Sequence, residues 1–404
     1  MSRPDPDPAP RGALGPMGAA MSLIVIFVAV LTIPLRAETD LGLTTGQATA
    51  WIMALYGIPA VLGLLLTFRY RQPLLLTGNV FVIIFVARLG DGLRWGELIG
   101  ASVAAGVLVL VVGLAGLTDR ISVWLPEPIV YGLLAGAVLP FVTSMLTALG
   151  DAPLLIGVPL ITYLVARAVL GGRVPAILPA LVAGVIVAGL AGEFGSVGTL
   201  SVPAPEFTAP VLSLDALLTV TPVLFVLVTV QANVPSVVFL RDVGYTPPEK
   251  VVAVTSGLGT AAGSFMGPIG VSLSLPATAL IAGPGAGEPS KRHRGVYMAE
   301  SAAVAVALLA GVAAVLVDVV PAALLTGLVG LAVLEILTHS IREAVSGPLI
   351  LGPTFAFAIA LSGLSMLGLG PFLWAIVGGV TVSLLLERDQ LRARRAGPPT
   401  TDGA

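Results

Sequence analysis

The chain has 404 residues, a formal net charge of −2, no cysteine and two histidines. Hydrophobic residues make up 56% and charged residues 10%, against about 25% charged in an average soluble domain, and the mean hydropathy is +1.03. Such a composition excludes an ordinary soluble domain, disulfides and thiolate metal sites, and it leaves a membrane-embedded chain as the frame.

Met1 to Pro16 (residues 1–16) holds five prolines and no apolar core, so it reads as a disordered cytoplasmic tail rather than a cleavable signal. Apolar spans follow over about 17–34, 48–68, 99–117, 126–149, 153–170 and 174–190, with a different kind of segment after the second. Between Arg71 and Arg88 only 16 uncharged residues are available. As one helix they reach roughly 24 Å, short of roughly 30 Å of hydrocarbon. Pro73 and the Gly78-Asn79 pair also oppose an unbroken helix. With Gln72 to Thr77 extended and Gly78 to Ala87 helical, the reach becomes roughly 35 Å, which spans. Irregular backbone at that depth is tolerated only where protein buries it or it lines a cavity.

Residues 191–212 are more polar and form the extracellular linker between two halves, 17–190 and 213–387. In the second half, spans run over about 213–240 and 251–264. Next comes Phe265 to Gly283, interrupted by Gly267-Pro268, Gly270 and Pro276. Four more spans follow, and residues 388–404 form a basic cytoplasmic tail. The count is fourteen, seven plus seven, so the second repeat is inverted relative to the first. Two interrupted segments at corresponding places of two repeats point to a transporter's binding site. With both termini cytoplasmic, Arg36, Arg88 and Arg94 lie outside, and the other seventeen of the twenty Lys and Arg lie inside. Trp51, Trp95, Trp124 and Trp374 fall near span ends and read as interfacial aromatics.

Trp51-Ile-Met-Ala-Leu-Tyr-Gly57, running on to Phe68-Arg-Tyr-Arg-Gln-Pro-Leu-Leu-Leu76, resembles the second and third spans of the benzoate/proton symporter family. Asn233-Val-Pro235 followed by Gly244-Tyr-Thr-Pro247 is similar to a further feature of that family, as is Leu361-Ser-Gly-Leu364 running to Phe372-Leu-Trp374. The resemblance covers about residues 20–386. It implies the fold shared with uracil permease: fourteen spans in two inverted repeats, with core and gate domains. It also implies short strands in the third and tenth spans, holding substrate between them and the eighth span. Two turns depart from the family pattern, at Thr77-Gly78-Asn79-Val80 and at Gly283 to Lys291, and leave the substrate open.

Two half-helix starts facing each other present unpaired N–H groups and two positive dipole ends, a preformed anion site that needs no buried lysine or arginine. The candidate substrate-binding residues are Thr77, Gly78 and Asn79 at one start and Ser272, Ser274, Pro276 and Thr278 at the other. Small hydroxyl residues also serve helix packing in membranes. Gln231 and Asn233 are the amides of the eighth span; two residues apart, they do not share one helix face unless Pro235 loosens the turn. Glu300 and Glu335 are the candidates for proton coupling, the competing reading of each being an interfacial charge reaching the headgroups. No metal site, cofactor motif, catalytic set or nucleic-acid patch is present in the sequence.

The sequence therefore reads as an inner-membrane, multi-pass secondary transporter of a small organic anion. Benzoate or a related aromatic carboxylate comes first, carried with a proton by alternating access. The alternatives are a nucleobase or inorganic anion in the same fold, or a passive anion channel. The expected partners are the anion, a proton and the lipid bilayer; a homodimer stays open.

Overall fold

The computed structural model describes residues 15–89, 92–118, 126–170, 175–195, 203–364, 366 and 370–391. The expectations for most of the first tail, the turn at Asp119-Arg120, Trp124, the loop at 171–173, the middle of the linker and nearly all of the last tail lie outside those residues.

In the first half, α1 (Gly15–Val30) and α2 (Thr32–Asp40) run on from one another and are followed by α3 (Thr45–Tyr70). A three-residue strand, β1 (Leu76–Gly78), then leads into a short helix, α4 (Val80–Ala87). Next come α5 (Trp95–Ala115), α6 (Glu127–Ala148), α7 (Pro153–Leu170) and α8 (Ile177–Ala191). The second half opens with α9 (Leu214–Thr219), α10 (Thr221–Val226), a π-helix over Leu227–Asn233 and α11 (Val234–Asp242). After α12 (Glu249–Gly263), β2 (Val271–Leu273) leads into α13 (Leu275–Ala282). The chain continues through α14 (His293–Leu308), α15 (Ala310–Val319), α16 (Ala322–Ala344), α17 (Leu351–Ser362) and α18 (Pro371–Leu386). Seven helical stretches among the described residues are long and apolar enough to cross a membrane, so the chain is a multi-pass membrane protein.

Local chemistry sets the ends of the interrupted segments. Helix α3 starts in a capping box, Thr44 with Gln47, and stops at Arg71, which adopts a left-handed φ of 54° just before Pro73. Three consecutive leucines, Leu74 to Leu76, are fully buried on the way into β1. Asn79 then turns strand into helix by accepting the Phe81 N–H at 3.0 Å. The β-branched run of α4 is helical because buried backbone must satisfy its own hydrogen bonds.

Two groups of helices pack separately. In one, α3 lies against α14, α5 against α12, and α1 against α14, with the strands inside. In the other, α6 lies against α16 and α17, α17 against α18, and α7 against α8. The described parts of the linker run without helix over the starts of α3 and α5. There the N–H groups of Glu206 and Val211 bond Gly46 O at 3.0 Å and Gly96 O at 2.8 Å.

Two expectations are corrected. Trp51 is no interfacial aromatic: it is fully buried, donates its indole N–H to Pro268 O at 2.7 Å, and meets Trp95 edge to face. The loop before β2 needs an acceptor-matching anchor, and α3 supplies it. The eighth span is not one regular helix, because seven residues at its centre are wound as a π-helix.

Candidate functional site

Strands β1 and β2 pair antiparallel in the register Leu76↔Leu273, Thr77↔Ser272 and Gly78↔Val271. The Asn79 N–H extends the ladder to Gly270 O at 2.7 Å. Since the strands are antiparallel and each runs into a helix, α4 and α13 leave the crossing in opposite directions. Their positive ends stay together. Gly78 permits this approach, because a Cβ there would sit 2.5 Å from Leu55 O on α3.

A two-stranded sheet has two outer edges whose N–H groups need acceptors when no water is at hand. Side chains from three helices supply them here. The Glu300 carboxylate on α14 accepts the Leu76 N–H at 3.0 Å. Asn233 Oδ1 accepts the Leu273 N–H at 2.9 Å, and Thr260 Oγ1 on α12 accepts the Val271 N–H at 2.8 Å. Glu300 is only 1% exposed, which removes the interfacial reading of this residue. Gly63 on α3 leaves the room for it: a Cβ at that position would overlap Glu300 Oε1.

Asn79, Gln231 and Ser272 come together. The Asn79 amide donates to Leu227 O at 3.1 Å, Ser272 Oγ at 3.3 Å and Gln231 Oε1 at 3.4 Å. Asn233 faces the other strand and also donates to Ser256 Oγ at 3.1 Å. Gln231 and Asn233 thus both reach the strand pair from one π-wound segment, each serving a different strand. π-Helical turns of this kind recur at functional sites. The π-helix that carries Gln231 also packs against α6, which belongs to the other helix group.

At the second helix start, Ser274 occupies the N-cap position without a side-chain bond, and Pro276 at the second helical position brings no N–H. The Thr278 hydroxyl on the first turn is buried and unpartnered, as is the Thr229 hydroxyl on the π-helix. Thr77 and Gly78 are half-buried, whereas Pro276 is exposed. Glu335 lies apart from all of these, as an exposed ion pair with Arg167 beside the Tyr163 hydroxyl. Thr229, Thr260 and Gly63 are not among the residues that the sequence singles out. Thr229 is legible there, as a hydroxyl two residues before Gln231 in an apolar span.

Two cavities lie away from the crossing, the first of them between the two helix groups. One, of about 310 Å³, lies among the ends of α2 and α4, the later part of α6 and the start of α16. The other, of about 420 Å³, lies at the start of α6 and the end of α16.

The sequence pattern of the family described as "Benzoate membrane transport protein" matches residues 15–385. Inner membrane protein YdcO of Escherichia coli is 26% identical over 380 residues, covering 92% of this chain and 96% of that protein. The benzoate membrane transport protein of Acinetobacter baylyi is 25% identical over 373 residues, covering 91% and 93%. Among solved structures, SLC26A9 aligns with a TM-score of 0.60 at 14% identity over 93% of this chain, which spans 65% of that one. The transmembrane domain of the cyanobacterial bicarbonate transporter BicA aligns at 0.57 and 16% identity, covering 95% and 98%. At such identities the likeness speaks for the fold alone: a helical, polytopic transporter fold. Membrane transporters, not enzymes, are the chain's relatives, and over residues 15–385 it belongs to the benzoate membrane transport protein family.

Proposed function

We propose that this transporter carries benzoate or a related aromatic carboxylate together with a proton, by alternating access of the α3/α5/α12/α14 group (the core) against the α6/α16/α17/α18 group (the gate). In this reading the described segments make fourteen crossings in two inverted repeats, with both termini cytoplasmic and the linker outside. The observation that carries it is the strand crossing: two helix starts meet beside Asn79, Gln231, Ser272 and Thr278, with no lysine or arginine among them. Two dipole ends and spare hydroxyls favour a single negative charge. The Acinetobacter relative is named for benzoate, which supports an aromatic acid first.

An aromatic carboxylic acid titrates at about pH 4, so it arrives as the anion at neutral pH. Proton coupling then needs another group. Glu300 is the candidate, because its carboxylate is buried against β1 and therefore feels any movement of the strand that frames the site. Intramembrane carboxylates in such positions mark proton relays.

Purified protein screened by thermal shift against benzoate, nucleobases and inorganic anions tests the substrate class. Stabilisation by benzoate and not by uracil or bicarbonate is expected; stabilisation by bicarbonate alone would replace the aromatic acid with an inorganic anion.

A further inference from the structure

We infer that His293, Tyr297 and Thr67 form a proton route between the inner face of the protein and the buried Glu300 carboxylate. The inference rests on the proposed proton coupling through Glu300 and on the proposed orientation of the chain.

His293, Tyr297 and Glu300 stand four and three residues apart on α14, a spacing that puts them on one face of the helix. From first to last they climb about 10 Å of helix axis. Helix α3 packs on α14 and meets this face in antiparallel order. Gly63 makes room for the Glu300 carboxylate, and one turn further the Thr67 carbonyl accepts the Tyr297 hydroxyl at 3.5 Å. The Thr67 hydroxyl in turn donates to Leu74 O at 3.3 Å, two residues before the strand N–H that Glu300 holds. The His293 ring meets the Tyr297 ring edge to face, with centroids 5.8 Å apart.

Burial is graded along this file. Glu300 and Thr67 are buried, Tyr297 and His293 are half-buried, and Arg294 beside His293 is exposed. The other residues between Arg294 and Glu300 on α14 are Gly295, Val296, Met298 and Ala299, so the polar groups keep to one stripe. A station on a proton path has to accept a proton and give one up, which hydroxyls and imidazole do and aliphatic side chains do not. Water completes any link longer than a hydrogen bond. Histidine suits the entrance, because its ordinary titration lies nearest the pH of a cell interior. The charges that act on the His293 ring are the cations Arg71 and Arg294, not a carboxylate, so no ion pair ties up the ring. Since α3 and α14 both belong to the core, the route travels with the carboxylate it serves.

The test uses full-length protein in vesicles of known orientation, with labelled benzoate. Net uptake driven by a pH gradient requires Glu300 to release its proton to the inner face in every cycle, whereas exchange of labelled for unlabelled benzoate does not. Tyr297→Phe keeps the ring and removes the hydroxyl; His293→Gln removes the titratable ring at a half-buried position. Each is expected to slow net uptake at least about five-fold, while exchange and the KM for benzoate stay at parental values. Net uptake at the parental rate in both variants would overturn the route. Equal slowing of net uptake and exchange would overturn it as well, by assigning the two side chains to packing. Gradient-driven uptake that survives Glu300→Gln would overturn the proton-carrier reading, and the route with it. Failure of the parental protein to take up benzoate would overturn the transport reading itself.

Discussion

The Glu300 carboxylate accepts the backbone N–H of Leu76 at 3.0 Å, across 224 positions of sequence. That bond ties α14 to the outer edge of β1 and puts a titratable group one strand away from the helix starts. Glu300→Gln keeps a carbonyl acceptor for Leu76, so the protein is expected to fold and bind benzoate normally while uptake no longer follows an imposed pH gradient. Glu300→Leu leaves the N–H unsatisfied and should cost about 1–3 kcal/mol of stability. Uptake in Glu300→Gln vesicles that tracks the gradient at the parental rate would leave uniport or anion exchange as the mechanism. Glu335→Gln serves as the control. Its exposed pair with Arg167 should contribute at most about 1 kcal/mol, and coupling should be untouched.

Asn79 holds the crossing together from the centre. Asn79→Asp keeps the oxygen that accepts the Phe81 N–H but loses the amide that donates to Leu227, Ser272 and Gln231. It also places a negative charge where the substrate anion is proposed to sit. Benzoate-dependent thermal stabilisation should disappear in this variant. Retention of the parental shift would remove Asn79 from the site.

Thr278 separates binding from stability. Its buried hydroxyl has no partner, so Thr278→Val removes an unsatisfied group and should leave the melting temperature unchanged or raise it. Affinity for benzoate, measured by titration calorimetry, should fall by about ten-fold if the hydroxyl serves the substrate. Equal affinity would assign Thr278 to packing alone.

Orientation is checked by labelling. The chain has no cysteine of its own, so single cysteines report without background. Ala152→Cys, between α6 and α7, should react with an impermeant maleimide from outside; Ser290→Cys, between α13 and α14, should not. Labelling of Ser290→Cys from outside would overturn the inverted-repeat topology.

Reach, breakers and charge made much of this architecture legible in the sequence. Sixteen uncharged residues between Arg71 and Arg88, with Pro73 and Gly78-Asn79 among them, cannot cross as one helix, and a strand followed by a short helix is what stands there. The spans over 153–170 and 371–386 coincide with α7 and α18, because proline opens each and apolar composition carries each to its end. These are one-dimensional constraints, and a one-dimensional reading finds them. The partners of the strand edges are not of that kind. Whether a carboxylate on α14, an amide on the π-helix or a hydroxyl on α12 answers a given N–H depends on how closely those helices approach. That approach depends on residues such as Gly63 and Gly78, which leave room and make no signal of their own. Position at a span end suggests an interfacial Trp51, yet packing turns it inward to Pro268. On a regular helix Gln231 and Asn233 would not share a face, and the π-wound turn sends one to each strand. Where the chain must break is written in length, proline and glycine. Which side chains meet the break is not, because buried hydrogen-bonding groups choose partners by proximity, and proximity is set by packing across two hundred residues.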